Sequence, residues 1–442
     1  MELSAIEQSP RLRTIYTQLC FCYKQDDSTS IKAIVETLTN GLERLTAGFP
    51  WVAGQVIYDG IGQDDGGRFR IVPFESVPQL VVKDHRHDPS APTMRALRAS
   101  KFPYSMLDED LLCPRSTLSD RPNETSSDPY PVLLLQANFI SGGLLLTILA
   151  SHITMDIVGQ CQIIKLFSKA CHNEPFTTEE LNNGNLDRRN LLPLQHSPKQ
   201  PELTSTTQTT RTPTPQAPSD PLPSQTLTWS SFLFPLSILQ NLKSHTTTTI
   251  PPSTPYISTD DSLTALLWRS ITRVRALRLP PRTSTALIRQ IDVRKHMSIP
   301  PMYTGNMVTQ TTHSSILEAL STMALGEIAA TLRSALKPED SMSSLLAQAH
   351  VHTKSTTPRD RTKTLTVSSW LKPLTTCQNL TFNLALGAPE CICRPRFTPV
   401  EGLVYLLPAQ DGGLVAGVCL RDDDMLALRR DAEFGGLAQW VG

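Results

Sequence analysis

Apolar residues recur along this chain with two different periods, and the periods separate helices from strands. In IKAIVETLTNGLERL (31–45) they fall at Ile31, Ile34, Val35, Leu38, Leu42 and Leu45, the spacing of a helix with one buried face. PVLLLQANF (131–139) and GLLLTILAS (143–151) are continuous apolar runs separated by Ile140-Ser141-Gly142, which predicts a hairpin of two strands buried on both faces. WVAGQVIYD (51–59) reads as another strand. MDIVGQCQIIKLFSKAC (155–171) returns to a helical stripe, so residues 152–154 fall in a turn between a buried strand and a helix.

The pattern fails over 196–226, a Thr-, Pro-, Ser- and Gln-rich stretch with almost no large apolar side chains. Such a segment cannot bury enough surface to offset its ordering entropy, and it is predicted to be a linker. Its Ser/Thr/Pro character continues in patches to about residue 255. Helical periodicity resumes in STDDSLTALLWRSITRVRAL (258–277), where Ser258 or Thr259 can cap the helix and Asp260 and Asp261 favour its positive end. ALIRQIDVRKHM (286–297) predicts a strand and SILEALSTMALGEIAATLRSAL (315–336) a helix. EGLVYLLPAQDGGLVAGVCL (401–420) predicts two strands about a turn, and DDDMLALRRDAEF (422–434) a closing helix. With no internal repeat and mixed elements in both halves, the expectation is an α/β (α+β) protein of two domains, 1–195 and 227–442, joined by the linker. A chain of 442 residues exceeds what one core usually serves.

Charge and targeting signals narrow the setting. Forty-one basic and 41 acidic residues balance, which gives no support for a nucleic-acid footprint or a polybasic membrane surface. The first residues lack the charged and apolar regions of a signal peptide, and no apolar run approaches the ~20 residues that cross a bilayer. A soluble, cytoplasmic protein is expected. The nine cysteines include two C-x-C pairs, Cys20/Cys22 and Cys391/Cys393, in apolar strand-like sequence. Neither has the C-x2–4-C spacing usual for zinc, so they read as small buried hydrophobes and no metal site is expected.

The turn after residue 151 carries the candidate chemistry. His152 sits where a rigid strand ends, with Asp156 four residues on. An imidazole there can move protons near neutral pH. Taken alone, H-x-x-x-D is a weak signal, and a structural histidine with a nearby acid explains it better. No G-x-S-x-G, P-loop or G-x-G-x-x-G motif follows a strand. DHRHD (84–88) and HVH (350–352) lie in polar sequence and read as solvated loops.

The surroundings of His152 add to this. GFPWVAGQV (48–56), DPSAPTMRALRASKFPYSMLDEDLL (88–112), VLLLQANFISGGLLLTILASHITMDIVGQ (132–160) and CRPRFTPVEGLVYLLP (393–408) together resemble the fungal trichothecene 3-O-acetyltransferase-like branch of the BAHD acyltransferases. The match runs from about Ile15 to Phe434. The resemblance implies two similar-sized chloramphenicol-acetyltransferase-like domains joined by a long crossover loop. It implies a tunnel between them, with an acyl-CoA (acetyl-CoA above all) entering one mouth and a hydroxylated natural product the other. No metal or redox cofactor is implied, and a monomer is. His152 would be the general base. Asp156 would point away and pair with Arg294 of IDVRKH, and Tyr303 and Asn306 of YTGN would lie toward the acyl donor. One motif departs from the family. TFNLALG (381–387) stands where D-F-G-x-G is expected, with Thr381 for Asp, Asn383 for the first Gly and Ala385 for the second. Thr381 and Asn383 are therefore placed on the donor side as altered positions. The departure keeps open a second reading, an acyltransferase fold recruited to cyclisation, elimination or isomerisation, and a third, a non-catalytic small-molecule binder.

Overall fold

In chain order the N-terminal half carries β1 (Tyr16–Lys24), helix α1 (Ile31–Gly48), β2 (Gly54–Asp59), β3 (Arg68–Pro73), β4 (Leu80–Asp84), β5 (Leu133–Ile140), β6 (Gly143–Ser151) and helix α2 (Ile157–Cys171). The computed structural model describes residues 1–26, 29–60, 67–118, 128–189, 191, 226–337, 343, 345 and 360–442. The two continuous apolar runs became the predicted hairpin. Every residue of β5 and β6 is buried, and Ser141-Gly142 makes the turn. β6 also pairs antiparallel with β1 along its whole length, and β4 runs parallel to β5 at the far edge. Helices α1 and α2 pack on one another, their apolar stripes turned into the same core. This places the C-terminal end of β6, where His152 follows, at a firmly held position.

The C-terminal half carries β7 (Leu227–Phe234), α3 (Leu236–Thr247), α4 (Thr259–Arg275), β8 (Ser284–Asp292), β9 (Val308–Ile316), α5 (Leu325–Ser334), β10 (Thr364–Ser369), β11 (Cys391–Cys393), β12 (Leu403–Pro408), β13 (Leu414–Arg421), α6 (Asp422–Arg430) and β14 (Gln439–Trp440). Seven strands form one sheet in the order β14-β7-β13-β12-β10-β8-β9. Its core gathers around α4, which α3, α5 and α6 flank. The expected capping of α4 is present: Ser258 accepts from the Asp261 amide, and Asp261 reaches back to the Ser258 amide.

One strand crosses between the halves. β11 joins the N-terminal sheet beside β1, giving the order β11-β1-β6-β5-β4. Leu374, Cys377, Phe382 and Leu384 pack into the N-terminal core with it. The stretch around 374–393 thus belongs in space to the half that the sequence division at residue 227 leaves it out of.

Several boundaries differ from the sequence reading for identifiable reasons. β7 and α3 occupy 227–247, where the Ser/Thr/Pro composition suggested a continuing linker; Ser230 and Ser231 are buried strand residues there. β9, VTQTTHSSI, is a sheet-edge strand with polar residues on both faces, so it shows no apolar alternation. The helix predicted over 315–336 is interrupted at Met323 and Ala324, which are extended. The strand predicted over 286–297 stops at Asp292, 51–53 is a short 3-10 turn, and the last helix breaks at Asp431. The predicted linker, Thr226 apart, and HVH at 350–352 lie outside the described residues. Among the described residues no helix is long and apolar enough to cross a membrane.

Candidate active site

The turn that carries His152 is fixed from three directions. The His152 amide donates to the Ile15 carbonyl at 2.8 Å, just before β1, and the Thr154 amide donates to Ser151 at 3.0 Å. From the other half of the molecule, the Asn306 side-chain amide donates to the His152 carbonyl at 2.5 Å. Nδ1 of the ring is buried without a hydrogen-bond partner among the described residues. Burial pushes the His152 pKa below its usual value, against a smaller opposing pull from its own backbone and from the Asp156 carboxylate. The ring is therefore neutral at pH 7, the form able to accept a proton.

Asp156 faces elsewhere. It is the N-cap of α2, accepting from the Gly159 amide at 2.8 Å, and it also accepts from the Met307 amide at 2.8 Å. Its two oxygens take the Arg294 guanidinium in a fork, Nη1 to Oδ2 and Nη2 to Oδ1, both 2.9 Å. Both residues are almost fully buried, at 1% and 3% exposure. Burial alone would lower the Arg294 pKa, but Asp156 and then Asp292 hold it above its ordinary value. Arg294 also donates to the carbonyls of Tyr303 and Gly305, so one guanidinium ties the start of α2 to the YTGN loop. The loop lies so close to α2 that a Cβ on Gly159 would meet the Thr304 carbonyl oxygen at 2.0 Å. Gly is required there by space alone. Tyr303 is buried beneath this loop with its hydroxyl unpartnered, and burial raises its pKa.

Two further supports escaped the sequence reading. Glu7 is fully buried; it accepts from the Asn306 amide and from Arg188, each at 2.9 Å, and Arg188 also donates to the Thr154 carbonyl at 2.5 Å. These residues come from the first turn of the chain and from the stretch before the linker, so no local motif joins them. The second is Arg394, in the quoted segment CRPRF. It is 1% exposed and ringed by Phe397, Tyr405 and Trp370, with centroid distances of 4.0, 4.5 and 5.5 Å. One nitrogen donates to Thr117, while Nε and Nη1 have no hydrogen-bond partner among the described residues. Tyr104, stacked on Trp229, likewise buries an unpartnered hydroxyl. Arg394 is close enough to His152 for its charge to act on the ring. The buried donors of Arg394 that lack acceptors suit a site that receives a substrate oxygen.

Thr381 and Asn383 lie at the opposite end of α2, about 22 Å along a 15-residue helix from Asp156. Thr381 hydrogen-bonds the His172 ring at 2.9 Å, and Asn383 donates to the Cys171 carbonyl at 3.3 Å, so this loop caps the C-terminus of α2. Phe382 is buried against Phe21 and Phe167. Phe382, Asn383 and Ala385 all have positive φ, at 49°, 55° and 59°. Asn tolerates that conformation, whereas Ala pays for its Cβ. Replacing Ala385 by Gly is expected to raise stability by about 0.5–1 kcal/mol, read from the denaturant midpoint. Asn383→Gly is expected to gain nothing, since it also loses the bond to Cys171.

The fold and this site define a two-domain acyltransferase of the kind whose motif histidine follows a central strand. The chain belongs to the Transferase family, whose profile matches residues 111–435; the trichothecene 3-O-acetyltransferase-like N-terminal domain matches residues 15–171. The chain is 40% identical to the trichothecene 3-O-acetyltransferase TRI101 of Fusarium sporotrichioides, over all of this chain and 97% of that protein. It is 40% identical, with the same coverage, to the O-acetyltransferase dmxR13 of Cryptosporiopsis sp. (strain 8999). The crystal structure of F. graminearum TRI101 complexed with coenzyme A and T-2 mycotoxin superposes with a TM-score of 0.91 at 38% identity, covering 100% of this chain and 99% of that one. The resemblance drawn from the sequence motifs and the two-domain α/β class are both borne out.

Proposed function

We propose that this chain transfers an acetyl group from acetyl-CoA to a hydroxyl of a small fungal secondary metabolite, with His152 as the general base. Two relatives at 40% identity are O-acetyltransferases, and the F. graminearum TRI101 structure holds coenzyme A and T-2 mycotoxin. The observation that carries the reading is the neutral His152 ring on a firmly held turn, where the Asn306 loop of the C-terminal half meets the end of β6. His152 takes the proton of the acceptor hydroxyl while its oxygen attacks the thioester carbonyl. The tetrahedral oxyanion then collapses, the C–S bond breaks and CoA leaves as a thiolate that recovers the proton from the imidazolium. Arg394 and Tyr104 offer free donors to a substrate oxygen. Asp156 and Arg294 hold the turn, and Tyr303 and Asn306 form the donor-side wall through the loop that Arg294 anchors. Thr381 and Asn383 act at a distance, through α2.

The recruited-fold alternative drew on the altered TFNLALG loop. That loop's contacts are with the end of α2, and its changes leave the His152 turn as the motif demands. Balanced charge and the family pattern favour a cytoplasmic monomer with no nucleic-acid or membrane partner. The test is acetyl-CoA-dependent acetylation of trichothecenes and other hydroxylated fungal metabolites, followed by mass spectrometry as a function of pH. Acetylated product is expected, with kcat/KM level above neutrality and falling as acid protonates His152, through a midpoint below its ordinary ~6.5. A rate that rises toward acid would remove His152 as base.

A further inference from the structure

The ladder between β1 and the crossover strand β11 brings the two C-x-C pairs together. Cys20 lies opposite Cys393 and Cys22 opposite Cys391, so period-two alternation sets all four thiols on one face. The Sγ atoms of Cys20, Cys22 and Cys393 all lie within 4.8 Å of one another, with Cys22 and Cys393 at 3.5 Å. These three are buried; Cys391 is half-buried, its thiol adjoins that of Cys393 but lies outside the mutually close group of three, and it reaches an ion there by turning inward. Thiolates around a tetrahedral zinc ion at 2.3 Å sit about 3.8 Å apart, within the span of this cluster. Thr147, opposite Cys20 on β6, buries a hydroxyl with no partner beside the Cys20 thiol, where it can support a thiolate. A cavity of about 630 Å³ has Cys391 in its wall, with Glu390 and Ile392, so the rim thiol of the cluster borders open space.

We infer that Cys20, Cys22, Cys391 and Cys393 form a binding site for a thiophilic d10 divalent cation, with zinc the natural occupant. On binding, the thiol protons leave to solvent and four metal–sulfur bonds form; no electron is transferred. The site has a structural use. β11 pairs with β1 over only three residues, yet it holds the 374–393 stretch against the N-terminal sheet. An ion shared by both strands would fasten them. The pattern was not legible as a metal motif because each pair is C-x-C and the two pairs stand 369 residues apart.

The test uses the full chain, purified under reductant, stripped with a chelator and titrated with Cd²⁺. One Cd²⁺ per chain is expected, with an ultraviolet thiolate-to-cadmium charge-transfer band and a rise of several degrees in Tm, since the ion binds only the folded state. Cys393→Ala should weaken binding by more than about 100-fold. Cys391→Ala, at the half-buried rim where folding is least at risk, should weaken it measurably, and Cys419→Ala, on β13, should leave it unchanged. No charge-transfer band on folded chain, or a band that persists unaltered in both Cys391→Ala and Cys393→Ala, would overturn the assignment.

Discussion

Replacing His152 by alanine lowers kcat/KM for acetyl transfer by about 10²–10⁴-fold, the range that general-base catalysis contributes. The fold should survive the change. Nδ1 of the ring has no hydrogen-bond partner among the described residues, while the contacts that hold the turn, to Ile15 and from Asn306, are made by the His152 backbone and persist in alanine. Melting should therefore shift little, and acetyl-CoA should still bind. A variant that keeps near-normal turnover shows that the hydroxyl is activated by another group. A variant that loses activity only because it unfolds points to a structural histidine.

Replacing Asp156 by alanine acts on stability. It strips the Arg294 fork of its carboxylate, leaves the Gly159 and Met307 amides without their acceptor, and removes the cap of α2. Arg294 retains Asp292, but that carboxylate is half-exposed and accepts from only one nitrogen of the guanidinium. Removing one partner of a buried pair costs about 3–5 kcal/mol. Denaturant unfolding should show a loss of that size. Adding Arg294→Met to Asp156→Ala should cost much less than the sum of the two single changes, because the second substitution removes the stranded charge. If Asp156→Ala melts like the parent yet loses all activity, Asp156 takes part in the chemistry itself.

The sequence made the central hairpin, α1, α2 and the capped α4 legible because each combines a strong period with clear ends. β9 stayed hidden because VTQTTHSSI, at a sheet edge, has no apolar face to show. β7 stayed hidden because its buried serines look like linker composition. Within the site, the local motif residues His152 and Asp156 were readable, and the family likeness pointed to Arg294, Tyr303 and Asn306. Glu7, Arg188 and Arg394 were not singled out, since each makes a side-chain hydrogen bond to a residue more than a hundred positions away. The thiol ladder was missed for the same reason: register, which no single segment encodes, brings the two pairs into one cluster.

The central claim, that this chain uses an acyl-CoA, is tested most directly by titration calorimetry of the folded chain with acetyl-CoA, which requires no knowledge of the acceptor. The account predicts one site per chain and, at about 100 times the dissociation constant, roughly 2.7 kcal/mol of added stability on parallel melting. No heat and no stabilisation, on protein shown to be folded, would contradict it.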